Sequence, residues 1–438
     1  MHRPTTLPTR LLAGLVLGGL VLTGCGSDEP GTPEGDPSTT GSAPSSGSTS
    51  PEEAAGPDAS PSSGASPSEG ESAPSTPSSP QASASPSPDG GDAPRAFTVV
   101  TTGDMLTHFV LQERADALRP GDGYAFDGML ARVKPLVQSA DLAACVQETP
   151  LSPDNEDLTD SPGTFSFNAP HELAEAMADA GYDACDTATN HTFDRGVQGI
   201  RDTRQVLRDN GIQPVGPVPP GDGGPRQPVL LDAGGATVAL LSYGYNTLNA
   251  YGTTHNREMP WMDPHLYRGR GAEGITADAR AAREAGADVV MVQMHWGTEY
   301  QQQPNAEQRE LARAVLHGGA VDAIAGSHAH VVQPCETVDG RTVAYGMGNF
   351  LSEQGPNRYP AKPITTQDGV LLRWTFTPTT RDGETTWEQE LEYQPTFVTR
   401  PDFVVQPTSP QENPASFERT RQAMNALGPG TCAATPLK

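Results

Sequence analysis

The sequence predicts a layered α/β fold with its helices on the outside, and three observations carry that reading. Short apolar, β-branched runs alternate along the chain with stretches of helical patterning. One run, residues 287–294, is almost continuously apolar, as in a strand covered on both faces. Run after run closes on Gly, Asp, Asn or His, at the strand ends where such folds collect ligand-binding residues.

Taken in order, the folded part starts near Arg95. Residues 97–102 form a β-rich run, and Gly103-Asp104 follows it at once. Helical patterning covers 109–118 and 126–139. Residues 142–146 form a short apolar strand that delivers Gln147-Glu148. A loop rich in Pro and Asp leads to a helix over 170–180, whose end Gly181 marks. Residues 183–187 run into Thr189-Asn190-His191, and 196–210 pattern as another helix. A strand pair over 229–232 and 237–242 is joined through Gly234-Gly235. Residues 276–285 are helical, and the 287–294 strand delivers His295-Trp296-Gly297. Asn305, with Gln308 three residues on, fits a capping box that opens a helix running to Gly318-Gly319. The strand 321–325 ends at Gly326-Ser327-His328-Ala329-His330. Residues 343–345 lead to Gly346-Met347-Gly348-Asn349-Phe350, and 370–376 with 390–398 close the domain with β-type alternation.

The chain of 438 residues is uneven. Arg3 and Arg10 precede an apolar run, 11–22, too short to span a bilayer, so residues 1–25 read as an export signal. Its close, Leu22-Thr23-Gly24-Cys25, resembles the bacterial lipobox, in which the Cys becomes the lipidated first residue. From Gly26 to Pro94 the chain has eleven acids and no Lys or Arg among Ser, Pro, Gly, Ala and Thr. Such a segment cannot bury enough apolar area to offset chain entropy, so 26–95 reads as a disordered tether. The expected organisation is therefore signal 1–25, tether 26–95, folded domain 96–400 and C-terminal tail 401–438, with the domain held at the extracytoplasmic face of the membrane. The net charge is −26, and residues 95–438 alone keep about 17 excess negative charges, which excludes an ordinary nucleic-acid binder.

Four cysteines follow Cys25. Cys335 with Cys432 is the favoured staple of the tail; Cys145 and Cys185 are either a bridge or two buried thiols. None has metal-ligand spacing.

The strand ends deliver Asp104, Glu148, Asn190 with His191, His295, and His328 with His330. Singly, each has an ordinary explanation: a turn residue, a solvated acid, a helix cap, a packed partner of Trp296. Their shared topological position is what points to a site. Residues i and i+2 of a strand project on one side, so His328 and His330 leaving a strand end can reach one small volume. Two acids, one amide oxygen and three imidazoles can form two adjacent sites bridged by a carboxylate, suited to one or two divalent ions such as manganese, iron or zinc. Two ions at about 3.5–4 Å would activate a water for attack on a phosphoester. His191 is then placed to stabilise developing charge or to protonate the leaving oxygen. Asp194 either orients His191 or caps the next helix.

Gly103-Asp104, Glu148 with Pro150, Asn190-His191 with Asp194 and Gly196, His295 to Tyr300, Gly326 to Gln333 and Gly348-Asn349-Phe350 occur in that order. Together they resemble the CapA family of poly-γ-glutamate capsule synthesis proteins, itself similar to the calcineurin-like metallophosphoesterases, over about residues 97–375. The resemblance implies a β-sandwich flanked by helices, a four-layer αββα arrangement with metals at the strand ends. It implies Asp104, Glu148 and His330 on one metal, Glu148, Asn190, His295 and His328 on the other, and His191 as catalytic acid. It also implies an anionic polymer such as poly-γ-glutamate, and membrane capsule-synthesis proteins, as partners. Where the phosphoesterases carry Asp-x-His this chain has Leu106, and His108 comes too late to replace the histidine, so one metal position lacks a ligand.

Glu299 and Asn349, inside those motifs, are candidate substrate contacts. So are Arg257, Arg268 and Arg270 of the long 243–271 loop, which either grip carboxylates or phosphates or are solvated surface. Arg358 and Lys362 allow the same two readings. Two functions stay open: a surface-anchored metallohydrolase acting on a phosphoester or polymer bond, and a noncatalytic polymer-holding component of a capsule assembly.

Overall fold

Strand β1 (Phe97–Leu106) is buried almost end to end and is the central strand of the larger sheet. The computed structural model to which it belongs describes residues 94–121, 123–159, 166–223, 227–245 and 259–437. The signal segment with Cys25, the tether as far as residue 93, and Arg257 lie outside the described residues.

After β1 come helices α1 (Phe109–Leu118), α2 (Asp127–Leu130) and α3 (Lys134–Val137), then strands β2 (Leu142–Gln147), β3 (Leu151–Ser152) and β4 (Ala169–Pro170). Helix α4 (Glu172–Ala180), β5 (Ala184–Asp186), α5 (Gly196–Asp209) and β6 (Gln213–Val215) continue the alternation. The second half opens with β7 (Val229–Ala233), β8 (Ala236–Gly244), α6 (Tyr267–Glu284), β9 (Val289–His295), α7 (Ala306–Leu316) and β10 (Ala323–Ser327). It ends with β11 (Cys335–Val338), β12 (Arg341–Ala344), β13 (Asn349–Ser352), β14 (Asp368–Arg381), β15 (Glu384–Val398), β16 (Val405–Pro407), α8 (Pro414–Met424) and β17 (Thr435–Pro436).

One sheet has the order β16-β15-β14-β1-β2-β5-β6, with β13 alongside the end of β1 and β17 alongside β15; the other has the order β11-β12-β10-β9-β8-β7. Within the first, β1, β2, β5 and β6 are parallel; within the second, β8, β9, β10 and β12 are. Parallel strands put their carboxyl ends on one edge, and each sheet therefore gathers its strand-end residues together.

Three apolar layers hold the sheets and helices. Leu111, Phe126, Leu173 and Leu207 pack the first-half helices on the larger sheet. Val99, Val146, Leu240, Met291 and Trp374 fill the space between the sheets. Ile275, Val290, Val315 and Ile324 seat α6 and α7 on the smaller sheet. The architecture is the expected four-layer αββα sandwich. No helix among the described residues is long and apolar enough to cross a membrane.

Local signals explain most boundaries. The capping box closes in both directions at 2.9 Å, Gln308 N–H on Asn305 Oδ1 and Asn305 N–H on Gln308 Oε1. Gly181, at φ 103°, ends α4 in the left-handed conformation that glycine adopts without a Cβ penalty. Two helices differ from expectation. The 126–139 stretch divides into α2 and α3 because Pro135, at the start of α3, lacks an N–H and disfavours helix in the residue before it. Helix α6 begins at Tyr267, nine residues before the patterned part, and turns out of helical geometry at Gly271. The last residues are not a loose tail: β16, α8 and β17 dock on β14 and β15, and Cys432 is bonded to Cys335. Cys145 and Cys185, facing one another on β2 and β5, form the second bridge.

Candidate metal centre

Asp104 sits on a bulge in β1, where the pairing with β2 and β13 shifts register. The bulge is possible because Gly103 lies against β13: a Cβ there would come within 1.9 Å of Gly348 O. Gly326 does the same for β10, its Cβ position being 2.0 Å from Tyr345 O. The two glycines bring β1, β10 and the 345–349 segment close enough to face one cluster of side chains.

That cluster collects every ligand candidate. Asp104, Glu148, Asn190, His295, His328 and His330 are all buried. Asp104 with Glu148 and His330 forms one group of potential ligand atoms within 4.8 Å of one another, and Glu148 with His295 and His328 forms a second. Glu148 belongs to both, as a bridging carboxylate must. Asn190 joins the second group through Oδ1, which accepts from His295 Nε2 at 2.7 Å; Ser327 Oγ lies 2.9 Å from the other nitrogen. In a third group, Glu299, His328 and His330 likewise offer ligand atoms within 4.8 Å of one another. Glu299 thus lies among the histidines as a further candidate ligand, whereas Leu106 is buried in the core and offers none.

His328 and His330 are not on the strand. Strand β10 stops at Ser327, and both histidines lie beyond it with positive φ, 83° and 56°. Their convergence comes from two left-handed residues in a tight turn rather than from strand alternation. Each non-glycine residue held in that conformation costs on the order of 1–2 kcal/mol, which the surrounding structure must offset.

The electrostatics are those of a cation site. Burial, and then the Asp104 carboxylate, push Glu148 well above the usual carboxylate range. Neither Glu148 oxygen has a hydrogen-bond partner among the described residues, and its nearest imidazole nitrogens, on His295 and His330, are 3.7 Å away. His328 Nδ1 and Asn190 Nδ2 are also buried and unpartnered. Burial, followed by the neighbouring imidazoles, pulls His295 and His328 well below the usual histidine value, so both are neutral donors of a lone pair at pH 7. For His330 burial acts downward but the Glu148 and Asp104 carboxylates outweigh it, and the ring rises to about 9. Buried polar atoms without partners are rare and costly, and this donor set, carboxylate with neutral imidazole and amide oxygen, fits a borderline divalent ion.

His191 and Asp194 resolve into a dyad. His191 Nδ1 is 2.7 Å from Asp194 Oδ2, which also accepts from Phe167 N–H at 2.8 Å. Helix α5 starts at Gly196 without a side-chain cap, so Asp194 orients the imidazole instead of capping.

The substrate-contact candidates are placed differently. Arg268 is held by Glu307 at 2.8 Å through both Nε and Nη2, and lies 5.5 Å from the Tyr245 ring, which packs 4.6 Å from His328. Arg270 closes on Asp278 of its own helix and is not brought to the cluster. Asn349 is fully buried; its Oδ1 lies 2.9 Å from His330 Nδ1 and its amide donates to Thr366 O, so it braces a ligand and has no face toward the cleft. Sequence reasoning assigned no role to Phe167, whose ring packs on both His191 and His108, or to Tyr300, which stacks on His330 beneath the Lys362 ammonium. The Tyr300 position was visible inside the His295 motif; nothing local signals Phe167.

A family model described as bacterial capsule synthesis protein PGA_cap matches residues 98–354. Curated relatives include a PGA biosynthesis protein CapA from Bacillus subtilis, 28% identical over 57% of this chain and 61% of that one. A capsule biosynthesis protein CapA from Bacillus anthracis is 27% identical over 63% of each chain. A probable polyglutamine synthesis accessory protein from Mycobacterium tuberculosis is 26% identical over 39% of this chain and 45% of its own. The match thus spans less than two thirds of the length of these relatives. Among solved structures, a calcineurin-like phosphoesterase from Bacillus subtilis aligns with a TM-score of 0.38 and 17% identity, covering 75% of this chain and 97% of that one.

Proposed function

Because the chain belongs to the family of bacterial capsule synthesis proteins whose model it matches, we propose that it is a surface-anchored component of poly-γ-glutamate or related capsule polymer synthesis or export, and that its metal cleft hydrolyses a phosphoester or polymer bond. A lipid on Cys25 and the tether would hold the domain at the extracytoplasmic face, a reading supported by Leu22-Thr23-Gly24-Cys25 and the composition that follows. The observation that carries the catalytic half is Glu148, buried with both oxygens unpartnered and shared by two ligand groups.

Asp104, Glu148 and His330 would hold one divalent ion; Glu148, Asn190, His295 and His328 a second. Glu299, close to His328 and His330, would add a further carboxylate ligand. Bound ions would supply Lewis acidity toward a phosphoryl or carbonyl oxygen and lower the pKa of a nearby water. The protein's own part is orientation and proton delivery. Asp194 fixes the His191 ring by Nδ1, which directs Nε2 outward as the atom to donate a proton to a leaving oxygen. Tyr245 and Tyr300, flanking His328 and His330, wall the ligands from water.

The test is metal analysis of the full chain together with turnover of a phosphodiester and of poly-γ-glutamate. One to two ions per chain, lost in His328→Ala, with turnover lost in His191→Gln while the metal stays, is the expected result. A chain that binds no divalent ion and still binds the polymer is the noncatalytic alternative.

A further inference from the structure

A second site lies on the far side of His108. Helix α1, the segment after β13 and the end of β15 line an open cavity of about 460 Å³ whose lining includes Arg114, Arg358, Arg400, Glu113, Glu353 and Phe403. Three guanidinium groups meeting in one cavity are unusual in a chain with 28 basic and 54 acidic residues. Only Arg114 closes an ion pair, with Asp402 outside the cavity. Arg400 gives its donors to backbone carbonyls of Val398, Thr399 and Gln354, and its guanidinium lies 4.6 Å from the Phe403 ring centroid. Arg358 rests against the rings of Phe109 and Tyr359. Neither Arg358 nor Arg400 has a carboxylate within ion-pair distance among the described residues. Burial pulls the Arg400 guanidinium down to about 10, and the Glu353 carboxylate offsets this only in part. The acid that faces the cavity from the core, Glu353, is engaged through Oε1 alone, which bonds His108 Nδ1 and accepts from Tyr359 O–H at 3.1 Å; its Oε2 is buried without a partner among the described residues.

A chain of contacts links the cavity to the metal centre, from Glu353 through His108 and Phe167 to His191. His108, held by Glu353, stacks at 4.2 Å on Phe167, and the other ring on Phe167, at 4.6 Å, is His191. We propose that this cavity is a carboxylate subsite, in which Arg358 and Arg400 take the free carboxylate of one residue of an extended polyanion while a neighbouring residue lies past His108 in the metal cleft. The lining argues for a carboxylate on a methylene stem over an inorganic ion. Phe403 and the aliphatic side of α1 offer apolar surface that a lone oxyanion would leave bare, and the volume falls in the range of small-molecule sites, about 300–1,000 Å³. Arginine forks suit such a group because they bind it through two parallel hydrogen bonds. This inference rests on the polymer reading above for the identity of the chain that carries the carboxylates.

The experiment uses the full chain and a γ-linked glutamate pentamer, titrated at low salt, with inorganic phosphate as competitor. Arg358→Gln is expected to weaken pentamer binding about tenfold, with metal content and thermal melting unchanged. Arg400→Lys, which keeps the charge but not the fork, is expected to weaken it in the same direction. Phosphate should displace the pentamer only at concentrations where chloride does. No pentamer binding, affinity in both variants equal to the parent's, or displacement by phosphate at lower concentration than by chloride would overturn the assignment. The two proposals fail separately: a metal-free chain with Arg358-dependent pentamer binding removes the hydrolase, and a metal-loaded chain indifferent to Arg358 removes the subsite.

Discussion

Asp186 is the residue at which pH should act on the platform beneath the metal centre. It ends β5, four residues before Asn190, and is fully buried. Its Oδ1 accepts from Ala188 N–H at 2.8 Å and from the Ser242 hydroxyl of β8, and so ties the Asn190 loop to the opposite sheet. Oδ2 has no partner among the described residues. Burial, only partly countered by these hydrogen bonds, raises the carboxyl from 3.8 to about 7. Below pH 4 the group is protonated in both folded and unfolded chains. Between about pH 4 and 7 the folded chain keeps a proton that the unfolded chain releases, so stability falls as pH rises through that window and levels off above it. The gap between the two values corresponds to about 4 kcal/mol as an upper bound. Asp186→Asn stays neutral throughout and keeps the Oδ1 acceptor, while its amide nitrogen takes the unpartnered place. The stability difference between variant and parent, measured by urea unfolding of chelator-treated protein from pH 4 to 8, should therefore grow in favour of the variant up to pH 7 and then hold. A difference independent of pH, or a variant less stable at every pH, would refute the reasoning.

Other outcomes follow from the same geometry. Replacing Cys335 and Cys432 by Ser frees a span of 97 residues, worth about 4–5 kcal/mol of denatured-state entropy; the urea midpoint should drop while metal content is kept. Asp194→Asn removes the anionic partner of His191 Nδ1, and turnover of a phosphodiester should fall by about 10²–10⁴ with the ions still bound. Glu148→Gln should abolish metal uptake yet raise the melting temperature of the metal-free chain, because it deletes a carboxylate that burial and Asp104 both disfavour. Lastly, His328→Gly should melt higher than His328→Ala by an amount equivalent to about 1 kcal/mol, since only glycine takes φ 83° without strain.

What could be read from the sequence was what acts over a few residues. The Asn305–Gln308 capping box, the Gly181 stop and the Gly234-Gly235 turn are local devices, and each appears in the structure. The six ligand candidates were legible because a parallel sheet puts all its strand ends on one edge, which makes position along a run equivalent to position in space. Long-range pairings have no such equivalence. His108 and Glu353, separated by 245 residues, meet because β1 and β13 pair side by side, Leu106 opposite Ser352, and each residue lies just past its strand's end. Asp194 was undecided between cap and orienting acid, and the choice depended on where Phe167 presents its N–H. The division of the 126–139 helix was present in Pro135, but periodicity alone extends through a proline that geometry does not.

The left-handed turn at His328 and His330 also bears on how this chain can be altered. A substitution scheme guided by thermal stability would find glycine, or asparagine, attractive at both positions, because the backbone there resists every branched or bulky residue. Such a scheme would also find Glu148 and Asp186 replaceable by their amides. The most stable version of this fold is therefore one with its cleft chemically blank, and the distance between that version and the natural chain is a handful of single-residue changes around one edge of the sandwich.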